Sequence, residues 1–244
     1  MRSGNPALTA DSFRGDRALP GAEAMTVSGT VNKTALSLLL LVTTASFTWN
    51  MGLADGRVGV WLMIGMIGGL IAALATVFKK TWAPVTTPLY AGLQGLALGG
   101  ISALFETRYP GIVSQAVFLT FGTLAGLLIA YRSGWIKATE NFKLGIVAAT
   151  GGIAFIYLIS FVLGFFGVSI PLIHSSGMFG ILFSLFVVVI AALNLVLDFD
   201  FIEEGAERGA PKYMEWYAAF GLMVTLIWLY LEILRLLAKL QQRR

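Results

Sequence analysis

Two aspartates, Asp198 and Asp200, stand in the run Ala191-Ala-Leu-Asn-Leu-Val-Leu-Asp-Phe-Asp200, where nearly every neighbour is apolar. A third acid, Glu232, is embedded in Leu226-Ile-Trp-Leu-Tyr-Leu-Glu-Ile-Leu234. Ionisable groups in such surroundings mark ion pathways, proton relays or structural charge pairs. Carboxylate oxygens are the usual ligands of a hard cation such as calcium. A carboxyl group taken out of water is also a natural proton sensor, because its charge answers to desolvation and to neighbouring charges. Asn194 and Asp198 are four residues apart and stack on one helical face, while Asp200 points well around the helix from Asp198. If that helix ends near Gly205, Asp200 lies close to headgroups and is solvated, whereas Asp198 lies deeper and needs a partner.

Glu232 has Thr225 and Lys239 at spacings of seven on either side, giving a polar stripe on an apolar helix, with Arg235 one turn on. The plain structural alternative is a Glu232–Arg235 pair that neutralises itself locally, with Arg235 and Lys239 snorkelling to the interface. The acids Glu203, Glu204, Glu207 and Glu215 read as a hydrated connection that could also concentrate cations at a pore mouth. Gln94, Thr120, Thr123 and Thr150 are of the kind that hydrogen-bond between helices. His174 reads as a solvated loop residue.

The elements that must position these groups are membrane helices. Of 244 residues, 57% are hydrophobic and only 12% charged, and the mean hydropathy is +0.80, which is outside the range of soluble domains. Apolar stretches at 34–53, 58–78, 88–105, 112–131, 144–166, 177–199 and 213–237 each approach the roughly 20 residues a helix needs to cross the hydrocarbon core. The expectation is an all-α integral membrane protein with a seven-helix transmembrane domain over residues 34–244, preceded by a polar, mobile cytoplasmic tail over residues 1–33. No signal peptide is expected in that tail, since no short apolar core precedes a small-residue cleavage site.

Lys and Arg distribute unevenly across the connections. Eleven fall on the side of the tail, including Lys33, Lys79, Lys80, Lys143 and Lys212, and six on the other, including Arg57, Arg108, Arg235 and Lys239. The positive-inside rule then puts the N-terminus in the cytoplasm, and seven spans put the basic C-terminus outside, against the rule locally. Glycines repeat at helical spacing: Gly92, Gly95, Gly99 with Ala103 in the third span, Gly65 and Gly69 in the second, Gly122 and Gly126 in the fourth. Small residues let helix backbones approach closely, so tight packing is expected in all three spans, with sliding during gating as the alternative.

Cysteine is absent and there is one histidine. That removes disulfides, thiol catalysis and histidine-rich metal sites. No nucleophile elbow, zinc-protease helix or phosphate loop occurs, so no enzymatic activity is expected. With a modest net charge of +4, nucleic acid is a poor partner.

The runs Leu195-Val-Leu-Asp-Phe-Asp-Phe-Ile-Glu-Glu204, Gln94-Gly-Leu-Ala-Leu-Gly99 and Leu229-Tyr-Leu-Glu-Ile-Leu234 resemble the Bax inhibitor-1-like (transmembrane Bax inhibitor motif) family, and the Met-Arg-x-x-Asn-Pro opening resembles a bacterial branch of it. The resemblance implies seven helices with the last enclosed by the other six, a pH-sensitive calcium leak across the bacterial inner membrane, and no cofactor. Some bacterial relatives imply a second reading, a protein that restrains a membrane quality-control protease through its tail. The family's sensor is a pair of aspartates in the sixth and seventh helices. Matched residue by residue, Asp198 takes the first place and Glu232, with Glu for Asp, the second. The two are 34 positions apart, with Gly209-Ala-Pro211 between them. If that segment is a simple hairpin turn, Asp198 lies nearer the depth of Ala218, and Asp200 with Glu215 become the better-matched acids. The second span has no buried arginine to latch the sixth-helix acid; Arg57 lies at the wrong end.

Overall fold

A computed structural model describes residues 23–51, 56–166 and 177–243. Among these residues the protein is helical, with α1 (Val27–Asn50), α2 (Arg57–Phe78), α3 (Ala83–Arg108), α4 (Ile112–Arg132), α5 (Glu140–Phe165), α6 (Met178–Glu207) and α7 (Met214–Gln242). All seven are long and apolar enough to cross a membrane. The last is the most enclosed: 67% of its apolar window is buried, against 11% for α5. Apolar side chains on α5 such as Phe155, Leu158 and Phe161 are exposed, as lipid-facing residues would be.

The chain forms two compact units. One takes α1, α2, α3, the end of α6 from Phe201 and the start of α7 to Val224; the other takes α4, α5, α6 to Asp200 and α7 from Thr225.

In the first unit α3 packs against both α1 and α2, and glycine makes the approach possible. A Cβ on Gly65 would lie 2.6 Å from the Leu93 carbonyl oxygen and from the Ala97 nitrogen of α3. One on Gly95 would strike Thr44 and the Leu41 carbonyl of α1, and one on Gly99 would strike Thr48 and the Ala45 carbonyl. The Thr48 hydroxyl donates to the Leu96 carbonyl at 3.1 Å, an interhelical bond, and Thr76 of α2 donates to Thr86 of α3 at 2.7 Å. α1 therefore turns Thr30, Thr34, Ser37 and Thr48 inward and Val31, Leu36 and Leu39 outward, the inverse of a water-soluble helix.

The polar opening is shorter than composition implies. α1 begins at Val27, because Thr26 caps it by accepting from the Gly29 N–H at 3.0 Å. Thr30 and Thr34 return their hydroxyls to the Thr26 and Thr30 carbonyls, so hydroxyl-rich sequence is helical here. Residues 1–22, and His174, lie outside the described residues.

The second unit is cemented by Ile146 and Ile153 of α5 and Val187, Ile190 and Leu197 of α6, with Trp228 of α7 against them. Its glycines behave differently. Among the described residues nothing lies within 4 Å of a Cβ built on Gly122 or Gly126, so the expectation of close packing in the fourth span is corrected at these two glycines.

The acids expected in a hydrated connection lie in helices instead. Glu203, Glu204 and Glu207 belong to α6 and Glu215 to α7. Glu204 pairs with Arg208 one turn on. The turn itself is short. Ala210 donates to the Gly205 carbonyl and Gly209 to that of Ala206, both at 3.1 Å, with Gly209 at φ 65°. This is the left-handed closure that glycine supplies at least cost.

Candidate functional site

The carboxylates of α6 and α7 are distinguished by what surrounds each. Asp198 is wholly buried, at 0% exposure, and Asn194, one turn before it, is buried as well. Asn194 is oriented by its amide, which donates at 2.8 Å both to the Thr150 hydroxyl of α5 and to the Ile190 carbonyl. Its Oδ1 is buried and receives no hydrogen bond among the described residues. Such an orphaned acceptor is costly in a low-dielectric interior. It is carried on the same helical face as the buried Asp198 carboxyl.

Asp200, two residues on, is not left to solvent. Lys143, near the start of α5 and itself buried, reaches its Oδ2 at 2.6 Å, and Glu140 lies at 3.7 Å on the same lysine. Lys143, counted from the sequence among the basic residues of a connection, is buried against α6 instead.

Glu232 is 2% exposed. The Tyr157 hydroxyl of α5 donates to its Oε1 at 3.0 Å, and one Arg235 nitrogen donates to Oε1 at 2.9 Å and Oε2 at 3.2 Å. The same nitrogen donates to the Tyr157 oxygen at 2.9 Å, so the three groups close a ring. The stripe Thr225, Glu232, Lys239 is buried throughout. Lys239 does not snorkel, as expected of it, but donates to the Gly180 carbonyl at 3.0 Å and the Ser184 hydroxyl at 2.8 Å of α6. Counting from the turn, Asp198 lies about 14 Å from the end of α6 and Glu232 about 27 Å from the start of α7, at about 1.5 Å per residue. Glu232 thus finds its hydrogen bonds with Tyr157 and Arg235.

Glu215, fully buried, belongs to the other unit and is saturated. Thr26 gives it both its backbone N–H and its hydroxyl at 2.9 Å. Lys33 bonds its Oε2, and Lys212 lies 3.3 Å from its Oε1. The Glu215 carboxylate holds the Lys212 ammonium above the ordinary lysine range. Gly29 has no room for a side chain because Glu215 lies against it. The Met25 N–H donates to the Ala210 carbonyl at 2.7 Å, and Ala24 bridges to Pro211. Glu215 is the centre of a clasp between the start of α1 and the α6–α7 turn, so it and Asp200 each have lysine partners of their own.

Among the described residues no three of His, Asp and Glu gather as a metal-ligand set. A profile of the Bax inhibitor 1 like family matches residues 5–242. The chain belongs to the Bax inhibitor 1 like family. No curated protein and no solved structure matches it.

For this Bax inhibitor 1 like protein, sequence reasoning named the acids but missed three of their partners. Tyr157 is one hydroxyl in the apolar run Phe155-Ile-Tyr-Leu-Ile159, and nothing in the spacing marks it. Lys33 fell in a stretch read as tail, although Thr30, Lys33 and Thr34 share a helical face. Lys143 is a lone cation beside the apolar run that starts at Leu144, which was the available signal.

Proposed function

We propose that this protein is a pH-sensitive cation leak of a bacterial inner membrane, with its N-terminus in the cytoplasm and calcium as the permeating ion. The observation that carries the reading is Asp198, fully buried in a membrane-crossing helix beside Asn194, whose Oδ1 receives no hydrogen bond among the described residues. When Asp198 holds a proton, the carboxyl group is neutral and able to donate, which suits a closed, dry interior. When the proton leaves, a negative charge stands in a low-dielectric setting and favours passage of a cation. Family membership supports the same reading, in which Asp198 takes the sixth-helix sensor position and Glu232 the seventh. The scheme uses no enzymatic step and no cofactor.

Calcium efflux from proteoliposomes, measured from about pH 5 to 8, tests it. Flux should rise with pH in the wild type, and Asp198→Asn should flatten the profile. Liposomes that stay tight at every pH would end the channel reading.

A further inference from the structure

Every side-chain hydrogen bond from Arg235 in the ring with Glu232 and Tyr157 comes from a single nitrogen. The guanidinium also lies 5.4 Å from the centre of the Tyr157 ring. Its side chain is 43% exposed, while the Glu232 carboxylate beneath it is 2% exposed. A positive group carried by the same helix therefore covers a buried carboxylate and reaches outward from it. Lys239, a turn further on, is committed to Gly180 and Ser184 of α6, so the three ionisable side chains of this stretch carry a net positive formal charge.

We infer that Arg235 is a tethered cation: it occupies the Glu232 carboxylate and excludes free divalent cations from it. The effect is one of competition. Calcium seeks carboxylate oxygens, and a guanidinium held three residues away on the same helix is present at a local concentration that free calcium does not reach. Tyr157 sharpens the competition because it donates to Glu232 and accepts from Arg235, fixing the guanidinium in register. Arg235 is thus a specificity-determining residue for cation access at this end of α7. The inference rests on the leak reading for its physiological meaning, but it predicts an equilibrium property that can be measured apart from flux.

The experiment uses the full-length protein in detergent and terbium as a luminescent stand-in for calcium, sensitised by Tyr157 beside the site. Arg235→Gln should gain saturable terbium binding at least tenfold tighter than wild type, and adding Glu232→Gln should remove the gain. Arg235→Lys, which keeps the charge, should bind terbium nearly as weakly as wild type. In liposomes, Arg235→Gln should raise calcium flux several-fold at fixed pH. Unchanged terbium binding in Arg235→Gln, or a gain that survives Glu232→Gln, would overturn the inference while leaving a leaking wild type intact as a channel. Conversely, a Glu232-dependent gain in a protein that never passes calcium would uphold the tethered cation and end the leak reading. Should Arg235→Gln not stay monodisperse, Tyr157→Phe serves instead, with terbium binding read by titration calorimetry because the sensitising phenol is gone: it removes one anchor of the guanidinium, and unchanged terbium affinity there counts equally against the proposal.

Discussion

Glu215 and Glu232 ride on the same helix and are almost equally buried, yet the groups around them differ in kind. Glu215 receives a backbone N–H, a hydroxyl and two ammonium groups, all from chain segments near the helix start. Glu232 receives one phenol and one guanidinium, the latter from its own helix. The first arrangement is over-determined, since the loss of any one donor leaves others in place. The second depends on a single cation that is itself 43% exposed. The difference teaches that equal burial can hide unequal support: one carboxylate is held by several groups from separate segments, the other by a phenol and a guanidinium.

The largest effect expected from breaking this comparison falls on the clasp. Glu215→Ala leaves Lys33 and Thr26 facing an empty position and should cost about 3–5 kcal/mol, read as a large drop in the detergent melting temperature, whereas Glu232→Gln should cost clearly less. Equal losses at the two sites would erase the distinction. Next comes the glycine contrast. Gly95→Ala puts a methyl into Thr44 and the Leu41 carbonyl and should cost about 1–3 kcal/mol; Gly126→Ala, with open space around it, should be neutral or stabilise by a few tenths to about 1 kcal/mol through helix propensity. Paired melting curves of the two variants decide it. Lys143→Met should cost roughly 1–3 kcal/mol, between the values for exposed and buried pairs, because Asp200 keeps 24% of its surface.

The smallest effect is the pH response of the clasp from its lysine side. Lys212 is held above the ordinary lysine range by Glu215, and a raised lysine contributes to stability below its unfolded value, losing that contribution only as pH rises through its folded one. Lys212→Met should therefore lower the melting temperature slightly and by a constant amount from about pH 6 to 9, the gap closing only above about pH 10.4. A gap that opens or closes between pH 6 and 9 would assign the titration to another group.

Much of this architecture is legible in the amino-acid sequence because a membrane helix writes its length in apolar residues. All seven spans fall where hydropathy places them. The start of α1 was obscured for the same reason: Thr30, Lys33 and Thr34 score as polar, and only the back-bonding to Thr26 and Thr30 and the pairing with Glu215 show that they are helical and inward. The site divides likewise. Residues three to seven apart on one helix, Glu232 with Arg235 and the buried stripe to Lys239, can be read from spacing. Partners on other helices, Tyr157, Lys143 and Thr26, cannot, because a lone tyrosine or lysine carries no register information until packing supplies it. Gly122 and Gly126 share the spacing of Gly95 and Gly99 but meet nothing among the described residues, so the motif shows where helices are able to approach, not that they do.

The hydroxyl face of α1 also bears on how the protein is made. α1 has a mean hydropathy of 1.2 over its best window, the lowest of the seven, against 2.7 for α6. Its threonines are satisfied by its own carbonyls and by α3, which emerges from the ribosome only after α2. A nascent chain that stops before Ala83 should thus hold α1 in the bilayer poorly, as read by a glycosylation tag, and one extended through Arg108 should retain it. α1 would thus be secured only once α3 has followed it into the bilayer.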